Sequence, residues 1–302
     1  MKKKISVAVI LAVFNGEKYL SYSINSILNQ TLKDFEFIIV DDGSTDQTLE
    51  IIQSFANSDK RIKIIKKENT TGLADSLNKG LAATDCEWIA RIDADDLSAP
   101  TRLEEQLAFV KGNSKVKLIG TAHRELLDSG KFGKTYKFPR LNYFLKRRLQ
   151  RVDSFFSHSS AFFSAELVKK LGGYRPRIER GQDWDLWLRV SEVCKIGCLS
   201  KELVSIRMHH DRLSNTDGGK KQILYSRLAI FSYWLRKFNL EDPIEFYRDE
   251  RNFNKFKSSF FRELEGSSFF KNAIAIGDIK NELNEANKLN SKLKIFMKIQ
   301  KN

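Results

Sequence analysis

Glu87-Trp88-Ile89-Ala90-Arg91-Ile92-Asp93-Ala94-Asp95-Asp96 is a largely apolar run that ends in three carboxylates within four residues. Residues 87–92 have the length and composition of a buried strand, so the acids stand at its carboxyl end. Like charges this close repel one another and call for a cation. Hard divalent ions take oxygen ligands, which makes Mg²⁺ or Mn²⁺ the ion such a turn suits, with a bridge from the metal to phosphate oxygens. The same residues also read as a solvated acidic turn capping the helix after Pro100.

Outward from this stretch, strand and helix signals alternate. Residues 5–12 and 35–40 are largely apolar runs of strand length, and residues 61–65 read as a third strand. Between them Leu20, Ile24, Ile27 and Leu28 fall on one helical face, as do Ile51, Ile52 and Phe55, then Leu73, Leu77 and Leu81. After Pro100, Leu103, Leu107 and Val110 point inward from a further helix. This alternation predicts a Rossmann-like α/β domain with a mainly parallel sheet and right-handed crossovers, flanked by helices. Ligands of such sheets bind beyond the carboxyl ends of the strands. Asp41 and Asp42 follow the second strand, and Asp93 and Asp95 the fourth, so the topology carries them to one edge.

Three further clusters bear chemistry. In Val40-Asp41-Asp42-Gly43-Ser44-Thr45-Asp46, Ser44 or Thr45 is predicted to cap the next helix and Asp46 to sit in its first turn. That explains neither Asp41 nor Asp42, and a carboxylate there accepts a hydrogen bond from a nucleobase N–H or a ribose hydroxyl. Gly181-Gln182-Asp183-Trp184-Asp185-Leu186-Trp187 opens a short helix predicted over residues 183–192. Asp185 reads as a cap or support. Asp183, flanked by Trp184, is the better general base, because partial desolvation raises a carboxylate's pKa; both acids also fit plain helix caps. Met208-His209-His210 ends an extended segment over residues 199–209, where an imidazole either adds nitrogen to an oxygen-built metal site or is structural. No serine-nucleophile motif, P-loop or G-x-G-x-x-G fingerprint is present.

Composition sets the frame. With 302 residues, one sizeable domain plus an appendage is expected, placed at residues 1–217 and 218–302 with the boundary at Asp217-Gly218-Gly219. The second part is predicted to be mostly helical. Cys86, Cys194 and Cys198 form no C-x-x-C pair and fit a reduced, cytoplasmic protein. Lys2, Lys3 and Lys4 before an apolar run imitate a signal peptide, but the run ends in the polar turn Asn15-Gly16 and reads as a first strand. No run approaches the roughly 18 apolar residues of a spanning helix. The formal net charge of +14 fits nucleic acid, an anionic membrane surface or a phosphorylated substrate. Residues 131–151 concentrate that charge, with Phe132, Tyr136, Phe138, Tyr143 and Phe144 interleaved and no acid.

In colinear order, Val7 to Glu17, Ser26 to Thr31, the Val40 to Asp46 segment, Gly72 with Asn78-Lys79-Gly80, Asp93-Ala94-Asp95-Asp96, Gly172-Gly173-Tyr174, Gln182 to Trp187 and Arg207-Met208-His209 resemble family 2 glycosyltransferases over about 70 % of the chain. The resemblance implies the GT-A fold, inversion at the anomeric carbon, a nucleotide-sugar donor, most commonly UDP-linked, and Mn²⁺ or Mg²⁺. By position, Ala12, Phe14 and Asp42 would line the nucleobase pocket. Asp93 would meet the donor ribose or the metal shell, Asp95 would be the principal metal ligand, and His209 would add metal or phosphate contact. Asp183 would deprotonate the acceptor. The sequence departs from the family pattern at Ala12, where proline is common, at Phe14, where tyrosine is common, and at Gln182, where glutamate often precedes the base.

The expected reaction is transfer of a hexosyl or N-acetylhexosaminyl group to a saccharide or lipid-linked saccharide acceptor in surface polysaccharide or glycolipid assembly. The expected location is the cytoplasm, peripheral on the inner face of the cell membrane. Residues 131–151 and Lys288, Lys292, Lys294, Lys298 and Lys301 would then touch anionic lipid. A nucleotidylyltransferase would want a glycine-rich loop where only Gly16 stands. A basic nucleic-acid-binding module or a non-catalytic nucleotide-binding protein is the competing reading, favoured by residues 131–151 but lacking a nucleic-acid motif.

Overall fold

The computed structural model describes residues 5–151, 153–209, 212 and 217–266. Every residue of β1 (Val7–Val13) is buried, and a strand apolar on both faces belongs in a sheet covered on both sides. The helix α1 (Leu20–Leu28) turns Leu20, Ile24 and Ile27 inward and leads to β2 (Glu36–Asp41), α2 (Thr48–Ser58) and β3 (Ile62–Lys66). α3 (Leu73–Ala82) buries Ala74, Leu77 and Leu81 and hands over to β4 (Trp88–Arg91). The short β5 (Leu97–Ser98) precedes α4 (Arg102–Gly112). Then come β6 (Val116–Leu127), β7 (Phe132–Tyr136), α5 (Asn142–Leu149), β8 (Phe162–Ser164), α6 (Ala165–Lys170), α7 (Gln182–Val193) and β9 (Lys195–Met208), followed by α8 (Lys220–Lys237), α9 (Pro243–Phe246) and α10 (Glu250–Gly266).

Among the described residues the strands form one sheet in the order β3-β2-β1-β4-β8-β6-β9-β5, with β7 on β6. β3, β2, β1 and β4 run parallel, as do β6 and β9. β8 lies between these two blocks, antiparallel to both β4 and β6, and β5 and β7 are also antiparallel. Side chains alternate across the sheet. Ala8, Ile10 and Ala12 join the layer of Leu77, Leu81, Leu186 and Trp187. Val9, Leu11 and Val13 join that of Leu20, Ile24, Ile52 and Leu103.

The expected α/β sheet flanked by helices is therefore present, with helices after it. The chain forms two compact units, Met1–Phe246 and Tyr247–Asn302. The first takes in α8, whose Tyr233 hydroxyl accepts from Gln150 Nε2 (2.8 Å) and whose Arg236 pairs with Glu192 of α7 (2.6 Å).

The structure corrects several local expectations. α2 begins at Thr48, and neither Ser44 nor Thr45 caps it. Ser44 Oγ instead accepts from Asn15 N (2.9 Å), Thr45 N donates to Asn15 Oδ1 (2.8 Å), and Asp46 Oδ1 accepts from Thr48 N (3.0 Å). The first two of these bonds tie the turn after β1 to the turn after β2. β9 starts at Lys195, earlier than the residues 199–209 read from sequence, because Lys195, Ile196 and Gly197 already pair with β6. β6 itself had no expectation, and residues 131–151 resolve into β7 and α5. The first apolar run is a strand, as read. Lys2, Lys3, Lys4, His210 and the lysines from Lys288 to Lys301 lie outside the described residues. Among those described, no helix is long and apolar enough to cross a membrane.

Candidate active site

Register brings the sequence-predicted acids together. β1 pairs Val13 with Asp41 of β2 and Ile10 with Arg91 of β4, and Asp42 N donates to Val13 O (2.8 Å). The carboxyl ends of these three strands thus lie side by side, with Ala12 buried and Phe14 half exposed at the mouth. Asp42 is buried and held by the protein. It pairs with Lys67 and accepts from Thr70 Oγ1 (3.0 Å), Thr71 N (3.1 Å) and Gly72 N (3.0 Å). Burial pushes this carboxyl up, but Lys67 and Thr71 outweigh it and hold it below its ordinary value. The loop closes this tightly because residue 43 is glycine. Its φ is +78°, and a Cβ would stand 3.0 Å from the Asn69 carbonyl carbon. Asp41 differs: Oδ1 accepts from Ser44 N (3.1 Å), while Oδ2 is buried with no hydrogen-bond partner. Of the two acids, Asp41 keeps the unfilled acceptor.

Asp93, Asp95 and Asp96 offer oxygens that all lie within 4.8 Å of one another, the oxygen-rich set that hard divalent ions take. Each acid is anchored by a different element. Asp93 pairs with Arg91, which is buried in β4, and accepts from Ser159 Oγ (2.8 Å). Burial alone would raise the Asp93 carboxyl, but Arg91 brings it down to about 2. Asp96 is buried, accepts from Arg207 N (2.9 Å) and contacts Ser159. Burial, then the charges of Asp95 and Asp93, push its carboxyl well above the usual range. Asp95 Oδ2 meets His209 Nε2 (2.8 Å), and Arg207 Nε donates to Asp95 O (3.0 Å). β9 delivers both residues because β5 pairs Leu97 with Ser205. His209 and Asp95, 114 positions apart, are therefore neighbours.

Asp183 stands in the first turn of α7, just after Gly181 in the left-handed region. Burial raises its carboxyl. Arg91 acts on it in the opposite sense and Asp93 in the same sense, so base candidate and acid cluster share one electrostatic field. Asp185 does more than cap. It is fully buried, accepts from Arg189 (2.8 Å) and pairs with Arg175 (3.4 Å), which also pairs with Asp242 (2.8 Å).

Sequence reasoning missed several participants. Arg91 pairs with Asp93, donates to Ser159 and acts on Asp183 through its charge, and a charge inside an otherwise apolar strand was the signal. His158 Nε2 lies 2.8 Å from the Tyr174 hydroxyl, and burial, then Arg91, hold the imidazole well below its ordinary value. Ser159 and Lys67 carried no signal, since a lone serine or lysine is ordinary.

A family model described as glycosyl transferase family 2 matches residues 8–172, a span that includes both acid clusters and stops before Asp183 and His209. The O-antigen biosynthesis glycosyltransferase WbnJ of Escherichia coli is 34 % identical over 241 residues, covering 77 % of this chain and 88 % of WbnJ. Among solved structures, S. aureus TarS 1–349 in complex with UDP-GlcNAc has a TM-score of 0.63 at 18 % identity, covering 92 % of this chain and 77 % of that one. The mannosyltransferase PcManGT from Pyrobaculum calidifontis, in complex with GDP-Man and Mn²⁺, has a TM-score of 0.56 at 16 % identity, covering 97 % and 81 %. At these identities the two structures share the fold.

Proposed function

The chain belongs to glycosyl transferase family 2; from that premise we propose an inverting glycosyltransferase that uses a nucleotide-sugar donor and has Asp183 as its general base. The observation that carries this reading is the raised Asp183 carboxyl, half buried at a helix start and in the field of Arg91 and Asp93. A carboxylate whose affinity for protons is raised by burial takes the acceptor's proton as the bond forms. The acceptor oxygen bonds to the anomeric carbon, the bond to the diphosphate breaks on the opposite face, and configuration inverts in one displacement.

The donor set of Asp95, Asp93 and His209 fits Mg²⁺ or Mn²⁺, with Asp95 the principal ligand. Such an ion, when bound, neutralises the leaving diphosphate. Asp96 and Ser159 hold the ligands in place. Ala12, Phe14 and Asp42 line the nucleobase side, and the unfilled Asp41 oxygen supplies an acceptor there. A UDP-linked hexose or N-acetylhexosamine is the favoured donor. TarS was solved with UDP-GlcNAc and PcManGT with GDP-Man, so the nucleotide is the property to test first. The acceptor is a saccharide hydroxyl, free or lipid-linked, in surface polysaccharide assembly at the inner face of the membrane. The part after residue 217 serves acceptor, membrane or oligomer contacts.

Nucleotide release across UDP-, GDP- and dTDP-sugars, with and without Mn²⁺, identifies the donor. With that donor, Asp183→Asn is expected to lower transfer by about 10³-fold while leaving donor affinity within about twofold. Turnover near that of the unsubstituted enzyme would overturn the assignment.

A further inference from the structure

α5 turns an unusual side outward. Leu145 and Leu149 are buried, Asn142 Oδ1 accepts from Ile196 N (2.9 Å), and Leu149 O accepts from Trp184 Nε1 (2.8 Å). These contacts fix its inner side against β9 and α7. Leu141, just before the helix, and Tyr143 and Phe144 on it are 65, 60 and 49 % exposed. Exposed apolar side chains scattered singly need no explanation, but three within four residues make a patch.

Its rim is basic. Lys137 and Arg140 are exposed just before it. Arg147 lies over the Tyr143 ring (5.6 Å) and donates to its hydroxyl (2.9 Å). No acid occurs between residues 131 and 151. An ordinary solvated face mixes both signs of charge and keeps aromatic side chains inside. A bilayer surface accommodates both departures, because aromatic and leucine side chains enter the headgroup boundary while lysine and arginine meet lipid phosphates.

We propose that this face of α5, with residues 137–141 before it, rests on a bilayer rich in anionic lipid. The inference rests on the reading that the acceptor is lipid-linked, and it gives that reading a geometry. Trp184, hydrogen-bonded to the last residue of α5, is the neighbour of Asp183. α5 thus packs against the helix that carries the base, and a bilayer under α5 would bring a lipid-borne hydroxyl to the same part of the molecule.

Flotation of the full chain with phosphatidylcholine vesicles, with and without phosphatidylglycerol, at low and high salt, tests this. The variants are Tyr143→Ser with Phe144→Ser, and Lys137→Glu with Arg140→Glu. Donor-nucleotide release is measured on the same preparations. The unsubstituted chain is expected to float at least about fivefold more with anionic vesicles, and less at high salt. Both variants are expected to lose most of that binding while nucleotide release stays unchanged. Equal flotation on neutral vesicles, or unchanged flotation of both variants, overturns the proposal. So does a patch whose substitution abolishes capture of duplex DNA but not of vesicles. A chain that floats as expected but releases no nucleotide upholds the surface and overturns the catalytic reading.

Discussion

A serine hydroxyl has one proton and two lone pairs, and Ser159 is surrounded by more partners than that. Arg91 Nη1 (3.1 Å) and Asp93 N (3.1 Å) both donate to its oxygen, while carboxylates of Asp93 and Asp96 both stand within reach of its proton. Only one of the two acids takes that proton at a time, which is consistent with burial and the neighbouring charges holding Asp96 toward its neutral form. Ser159 is thus a positioning residue that keeps two acids of the cluster in register from a segment 66 positions away in sequence. Ser159→Ala removes these bonds and leaves buried groups short of a partner, a loss of about 1–3 kcal/mol. Calorimetric titration with Mn²⁺ alone should show about tenfold weaker binding, since 1.4 kcal/mol is a factor of ten. Unchanged affinity would remove Ser159 from this role.

At the scale of elements, β6 shows what packing demands beyond pattern. A Cβ on Gly120 would overlap the ring of Phe156, itself buried beside Phe155 and Trp187. Gly120→Ala should therefore destabilise the fold by about 1–3 kcal/mol through overpacking, read as a lower urea midpoint with unchanged slope. The strands of the first half were legible because β1 and β2 are unbroken apolar runs between polar turns. β6 was not, since His123, Arg124 and Glu125 interrupt its pattern where it emerges from the core. The acids of the site were legible because polar residues at strand and helix ends stand out. Their supports were not: the bonds of Ser159 to Arg91 and of Asp96 to Arg207 span 68 and 111 positions, and no local pattern encodes such pairs. Asp185 shows the same limit. From sequence it resembles a cap, whereas its two arginine partners and Asp242 join α7 to the segment beyond α8.

For the whole molecule, acid separates activity from folding. Asp183 works as a base only when ionised, and burial raises its carboxyl, so turnover falls as pH drops through a value higher than an ordinary aspartate's. Asp42 is shifted the other way. Its stabilisation is fully present above its unfolded-state value of 3.8 and is lost only as pH falls through its lower folded value. A pH profile of kcat/KM should thus decline while circular dichroism still reports the native fold; coincident loss of both would contradict this. One feature of the sheet bears on how the chain reaches that fold. β8 has three residues, yet it alone stands between β4 and β6 in the strand order. During synthesis β4 lacks its second neighbour until residue 164 has left the ribosome, and an open strand edge recruits other chains. Nascent or truncated forms that end before β8 carry that adhesive edge, so expression at low temperature or with chaperones holding the N-terminal half favours soluble protein.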